Sequence, residues 1–276
     1  MQQKRQKPVN HSIEGTSFPI VEQAQQEVMR SRVPWYRASK RTHIFIVFYF
    51  VEFLLFSLLA WFVHIHPVIP LDVAITREFQ ENQSPWLRSA MIAVNYLGFH
   101  ILVFSALILG AAIVFWMMRL RLEALFVVAL SVLNSVVNVG IKVLVNRPRP
   151  NAKLVEIIQY AGGQSFPSGH VMSYVAFFGL LFSLGIILLK RDRWWHYVVL
   201  LVPALFVVLV GPARIYVGDH WASDVLGAYL LGSLLLGITL WIYLVLKSRG
   251  VLSTKMGSGK MLVDPVSPNA NPEKRA

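Results

Sequence analysis

From His43 onward the chain runs in long apolar stretches separated by short polar breaks. A helix crosses the ~30 Å hydrocarbon core of a bilayer with roughly 17–25 mostly apolar residues. Six runs meet that length: residues 43–63, 96–118, 122–145, 169–189, 197–213 and 225–246. They predict an all-α polytopic membrane protein, a six-transmembrane-helix bundle over residues 43–246. A basic amino-terminal tail (1–42) and a carboxy-terminal tail (247–276), both expected to be mobile, flank it. The fifth run is short and carries Pro203 and Pro212, which leaves its ends loosely defined. Between the first two runs, Asp72 to Leu87 mixes polar and apolar positions. Its Val73, Ile75 and Phe79 suit a membrane surface, and Ser84-Pro85 suits a helix start.

Several polar residues interrupt the pattern where lipid would penalise them. Asn134, Asn138 and Lys142 recur every four residues and form one helical stripe, extended by Ser131 and Ser135. Intramembrane polar groups usually face a protein interior or a water-filled cavity. Interhelical hydrogen bonds account for the asparagines, and snorkelling is the plain reading of Lys142. Glu52 stands alone in the first run. A hydrogen bond within the bundle fits it better than an ion path does.

Composition agrees with the pattern. Of 276 residues, 55% are hydrophobic and 14% charged, whereas soluble domains carry about 25% charged residues. The absence of cysteine excludes disulfides, thiolate metal ligands and a cysteine nucleophile. No apolar core precedes His43, so the first run reads as an uncleaved anchor rather than a signal peptide. The formal charge of +12 is unevenly placed: 19 of the 26 lysines and arginines lie in the two tails and in the breaks after runs two and four. Basic loops stay cytoplasmic, which predicts cytoplasmic termini and an extracytoplasmic face at the breaks after runs one, three and five. Basic segments at an inner leaflet meet anionic lipid headgroups, so nucleic acid is not required as a partner. The strength of this asymmetry and the compact size point to a bacterial plasma membrane. Gly257 to Lys260 is no Walker loop, since Met261 stands where Ser or Thr is needed.

Three segments on the predicted outer face concentrate chemistry: Lys142 to Pro150, "GGQSFPSGH" ending at His170, and "ARIYVGDHWASD" from Ala213 to Asp224. Singly, each has a bland reading: a headgroup anchor for Arg149, a capping turn for Pro167-Ser168, a surface pair for His220 and Asp224. Together they suit an anionic phosphate. Ser168, Gly169 and His170 open a helix whose free N–H groups attract anions. Lys142, Arg149 and Arg214 supply cations for the non-bridging oxygens. His220, with Asp224 one turn away to hold its ring N–H, suits a nucleophile. His170 suits the general acid and base. Three cations make a metal unnecessary, and no carboxylate–histidine cluster suggests a metal site.

These segments resemble the type-2 phosphatidic acid phosphatase superfamily, whose pattern is KxxxxxxRP, PSGH and SRxxxxxHxxxD. "KVLVNRPRP", "PSGH" and "ARIYVGDHWASD" match it except at Ala213, where the family usually has serine. The resemblance implies His220 as nucleophile, Asp224 as its orienting partner and His170 as acid/base, with no cofactor. It implies that Lys142, Arg149, Ser168, Gly169 and Arg214 hold phosphate. Arg147 and Asp219 fall at variable positions of the pattern and read as bystanders. The expected activity is metal-independent hydrolysis of a lipid phosphate or diphosphate at the outer membrane face, through a phosphohistidine. Phosphatidylglycerophosphate, undecaprenyl diphosphate and phosphatidic acid all fit. A phosphotransferase of the same superfamily, or a non-catalytic lipid-binding or transport protein, remains the alternative.

Overall fold

The computed structural model describes residues 39–189 and 194–252, with side chains from His43. The tails expected to be mobile, and Lys190 to Arg193 in the fourth break, lie outside the described residues except at the tails' inner ends. Those residues form eight helices and no strand: α1 (Ser39–Ile65), α2 (Pro70–Glu81), α3 (Pro85–Phe99), α4 (Ile101–Met117), α5 (Arg121–Val145), α6 (Gly169–Leu188), α7 (Trp194–Tyr216) and α8 (Ala222–Ser248). Five are long and apolar enough to cross a membrane: α1 from His43, and α5 to α8. The pair α3–α4 passes the same test together but bends by 71°. The protein is thus an all-helical multi-pass membrane protein.

Two expectations change in detail. The run over 96–118 is not one straight helix: Tyr96 to Phe99 end α3, and His100 adopts an extended backbone (φ −93°, ψ 98°) before α4. The break falls two residues after Gly98, where helix propensity is weakest. The fifth run, conversely, is longer than it looked, because α7 continues through both Pro203 and Pro212 to Tyr216. A proline ring costs one backbone bond per site, and packing within a bundle tolerates that loss.

The most enclosed span is α6, packed against α5, α7 and α8. Phe104 of α4 and Phe206 of α7 meet Tyr174 and Phe178 of α6 in a ring cluster, with centroids 4.6–6.4 Å apart. The outward faces of α1 and α4 are apolar and exposed, as Trp61 and Leu102 show, which suits lipid. Apolar area gives no drive for helix association inside lipid, so close packing and interhelical hydrogen bonds must supply it. Glu52 accepts a bond from Ser233 Oγ at 2.5 Å and so joins α1 to α8. This is the bundle-internal bond expected for Glu52. At the far end, Glu123 of α5 accepts from Tyr243 (2.7 Å) and Lys247 (2.8 Å) of α8.

One short helix reverses the expected pattern. α2 turns its polar stripe inward: Asp72, Thr76 and Gln80 are buried, while Leu71 and Phe79 are exposed. Gln80 donates to the carbonyls of Glu156 (2.8 Å) and Tyr216 (3.0 Å) and accepts from the Glu156 N–H (3.1 Å). This helix is therefore latched onto the segment between α5 and α6.

Candidate active site

All eight residues singled out in the sequence gather at the end of the bundle where α5 and α7 finish and α6 and α8 begin. The α7–α8 turn brings His220 there. Gly218 makes that turn possible with φ +73°, and a side chain on it would strike the Glu156 carbonyl. Asp224 occupies the first turn of α8, where its Oδ2 accepts the Trp221 N–H at 2.9 Å and caps the helix. The same oxygen lies 3.5 Å from His220 Nδ1. His220 Nε2 points the other way, 3.2 Å from Arg149. The ring therefore divides, Nδ1 facing the carboxylate at 3.5 Å without a hydrogen bond and Nε2 facing Arg149.

The "SFPSGH" turn is held from three sides. Lys142 donates to the carbonyls of Gln164 (2.6 Å) and Ser165 (3.3 Å), Asn138 donates to that of Pro167 (3.3 Å), and Ser168 N–H donates to that of Asp224 (3.2 Å). Lys142 thus does more than snorkel, since it secures the turn with two of its three protons. Ser168 stands at the N-cap of α6, but its hydroxyl makes no capping bond. Instead Ser168 Oγ is buried without a hydrogen-bond partner among the described residues, as are His170 Nε2, His220 Nδ1 and Arg214 Nε. Buried polar atoms are nearly always paired, so a group of such atoms in one place is suited to receive a polar ligand. Lys142, Arg149, Arg214 and His220 all lie within electrostatic range of His170.

Arg214 is fully buried, and its NH1 donates to Asn95 Oδ1 at 3.1 Å. Asn95 also donates to the Ala213 carbonyl at 3.2 Å, so α3 orients this arginine through one amide. Arg149 donates to the backbone carbonyl (2.9 Å) and the carboxylate (2.6 Å) of Asp219. Arg214 also pairs with that carboxylate. A cavity of about 390 Å³ borders Arg149 and Asp219, with Gln159, Tyr160, Gly162 and Gly163 on its walls. Burial, and then the charges of Arg149, Arg214 and Lys142, press the His220 imidazole well below its ordinary 6.5. Among the described residues, no group of three or more histidines, aspartates and glutamates is placed to share a metal ion.

The sequence model of the PAP2 superfamily matches residues 122–248, which hold all eight residues singled out in the sequence. Phosphatidylglycerophosphatase B of Bacillus subtilis (strain 168) is 30% identical over 185 residues, 66% of this chain and 88% of that protein. The chain belongs to the PAP2 superfamily. Among solved structures, a transmembrane PAP2-type phosphatidylglycerolphosphate phosphatase from Bacillus subtilis superposes with a TM-score of 0.60 at 26% identity. That match covers 70% of this chain and 94% of that one. Aquifex aeolicus LpxE superposes with a TM-score of 0.48 at 23% identity, covering 63% of this chain and 96% of that one.

Within this PAP2 member, four charged or polar residues near the site escaped the sequence reading. Arg147 and Asp219 read as bystanders, yet both are buried and paired, Arg147 to Asp224 (2.6 Å) and Asp72 (2.7 Å), Asp219 to the two arginines. Asp72 and Asn95 come from helices outside the motifs. Only Asp72 carried a signal, the four-residue polar spacing it shares with Thr76 and Gln80.

Proposed function

We propose that this PAP2 superfamily protein is a lipid phosphatase that works through a phosphohistidine on His220, with its site at the extracytoplasmic membrane surface. The observation that carries the reading is the set of buried, internally unpartnered atoms Ser168 Oγ, His170 Nε2 and Arg214 Nε beside His220. They form a preorganised cradle for a tetrahedral oxyanion, reinforced by Lys142, Arg149 and the first backbone N–H groups of α6.

In the first step, His220 Nε2 attacks phosphorus in line with the lipid oxygen. The phosphorus–oxygen bond breaks as His170 gives that oxygen its proton. Nδ1–H of His220 faces Asp224, which stabilises the ring as positive charge develops on it. In the second step His170, now neutral, takes a proton from water. The resulting hydroxide attacks phosphorus, the phosphorus–nitrogen bond breaks, and phosphate leaves with His220 restored. The arginines and Lys142 carry the charge of the equatorial oxygens throughout. On this reading no metal takes part.

The substrate class is a lipid monophosphate or diphosphate, because apolar helices surround a site at membrane level. Kinship with phosphatidylglycerophosphatase B favours phosphatidylglycerophosphate, with undecaprenyl diphosphate and phosphatidic acid as the other candidates. The test is phosphate release by the purified protein across these three lipids, without an alcohol acceptor. Release from one of them that His220→Ala abolishes is the expected result. No free phosphate, with the phosphoryl group instead found on an added alcohol, makes the protein a phosphotransferase. Equal turnover by His220→Ala removes the nucleophile assignment.

A further inference from the structure

Asp224 Oδ2 lies 3.5 Å from His220 Nδ1, and the surroundings of this carboxylate are unusually complete. Oδ1 accepts from Arg147 NH1 at 2.6 Å and from Ser165 Oγ at 3.3 Å, while Oδ2 takes the Trp221 N–H. Arg147 is almost fully buried, and every nitrogen of its guanidinium is engaged. NH1 also donates to Ser223 Oγ (2.7 Å), NH2 to Asp72 Oδ2 (2.7 Å), and Nε to the Pro67 carbonyl (2.9 Å). Asp72 closes the ring by accepting from the Ser223 N–H at 2.9 Å and from Ser223 Oγ at 2.5 Å. One buried arginine thus bridges two buried carboxylates, one on α2 and one on the catalytic turn of α8.

We propose that Asp72 and Arg147 are positioning residues that brace Asp224, and through it His220, which makes α2 part of the reaction machinery. This rests on the phosphohistidine reading above. The planar guanidinium sets the carboxylate by direct bonding, and Asp72 sets the guanidinium. The Asp72–Arg147–Asp224 group carries one net negative charge, which faces His220 from beside α8. The other charged or titratable groups around His220 are Lys142 on α5, Arg149 and Asp219 in the connecting segments, Arg214 on α7 and His170 on α6. Changing the charge of the brace therefore changes how readily the site takes up a proton. That consequence separates positioning from simple attachment of α2.

The experiment measures phosphate release by full-length protein in detergent, from pH 4.5 to 9, for wild type, Arg147→Met, Arg147→Lys, Asp72→Asn and His220→Ala. Monodispersity and thermal unfolding are recorded for each. Arg147→Met and Asp72→Asn should lose roughly tenfold to hundredfold in kcat with KM little changed, the scale of a displaced catalytic group. Removing the positive charge eases proton uptake, so the acidic limb of kcat/KM should move up in Arg147→Met by about one unit. Removing the negative charge in Asp72→Asn should move it down. Arg147→Lys should restore the limb while recovering only part of kcat. If Arg147→Met does not fold, Asp72→Asn decides alone, because it keeps the shape of the side chain. Limbs that stay put, or kcat unchanged while His220→Ala is inactive, overturn the brace. A wild type that releases no phosphate from any lipid overturns the phosphatase reading and the brace with it.

Discussion

The bend at His100 gives α3 a direct grip on the proposed acid/base, and Gly98 is the point of contact. A β-carbon built on Gly98 would lie 2.5 Å from His170 Cδ2 and 2.8 Å from Tyr174 Cε2. Carbon atoms in contact sit about 3.5–4.0 Å apart, so alanine at this position overlaps each ring by about 1 Å. Tyr174 cannot yield easily, because its hydroxyl donates to the Val94 carbonyl at 2.6 Å and accepts the Gly98 N–H at 3.1 Å. His170 has no such anchor on Nε2 and is the ring that moves. Overpacking costs about 1–3 kcal/mol, and the better helix propensity of alanine returns about 1 kcal/mol. Stability should therefore fall by about 2 kcal/mol at most. A displacement of about 1 Å in a catalytic group costs on the order of a hundredfold in rate. Gly98→Ala should accordingly keep its fold and lose about tenfold to a hundredfold in kcat for phosphate release. Gly140→Ala is the control: nothing lies within 4 Å of its added carbon, so activity should be unchanged. Gly98→Ala with wild-type kcat would refute the placement of His170 at the reacting phosphate.

Three further outcomes are expected. Since burial and three cations hold His220 well below 6.5, the nucleophile stays unprotonated into mild acid. The acidic limb of kcat/KM should lie below pH 6.5 and shift toward neutral in Arg149→Met, which removes one repelling charge. Asn95→Leu should cost about 1–3 kcal/mol in thermal unfolding by stripping Arg214 and the Ala213 carbonyl of a partner. It should also weaken vanadate inhibition, and unaltered inhibition would show that Arg214 does not depend on Asn95. Phosphate release should survive EDTA, and restoration of lost activity by Mg²⁺ would contradict the metal-free mechanism.

Much of this arrangement was legible in the chain. Apolar length located the spans because a bilayer imposes it, and the three motifs named the residues that the fold brings together at one end of the bundle. The bend at His100 was invisible for a related reason: residues 96–118 stay apolar across it, and hydropathy records burial in lipid rather than direction. Arg147 and Arg149 look equivalent in "NRPRP", yet one is turned into the protein and the other toward Asp219 and His220. The family pattern separates them in the sequence, but only the path of the connecting segment shows that Arg147 is paired inside the protein. The inward stripe of α2 follows the same four-residue rule as Asn134, Asn138 and Lys142. In a stretch with charges on several sides, that rule does not say which face is covered. Asn95 sits in an apolar helix with no spacing partner, and its role emerges only when α3 meets α7.

The brace around Asp224 also has a consequence for the order in which a membrane inserts this chain. Asp72 and Arg147 are separated by 75 residues, and Ser223 lies 151 residues after Asp72. Synthesis runs from the amino terminus, so Arg147 can meet Asp72 while α6 to α8 are still unmade. Their contact holds one half of a lock whose other half arrives with the first turn of the last helix. Until then neither Asp224 nor Ser223 exists, and the proposed nucleophile His220, three residues before Ser223, has no braced carboxylate beside it. On the phosphohistidine reading the chain would therefore be silent through most of its own assembly and gain its activity when the final span enters the bundle.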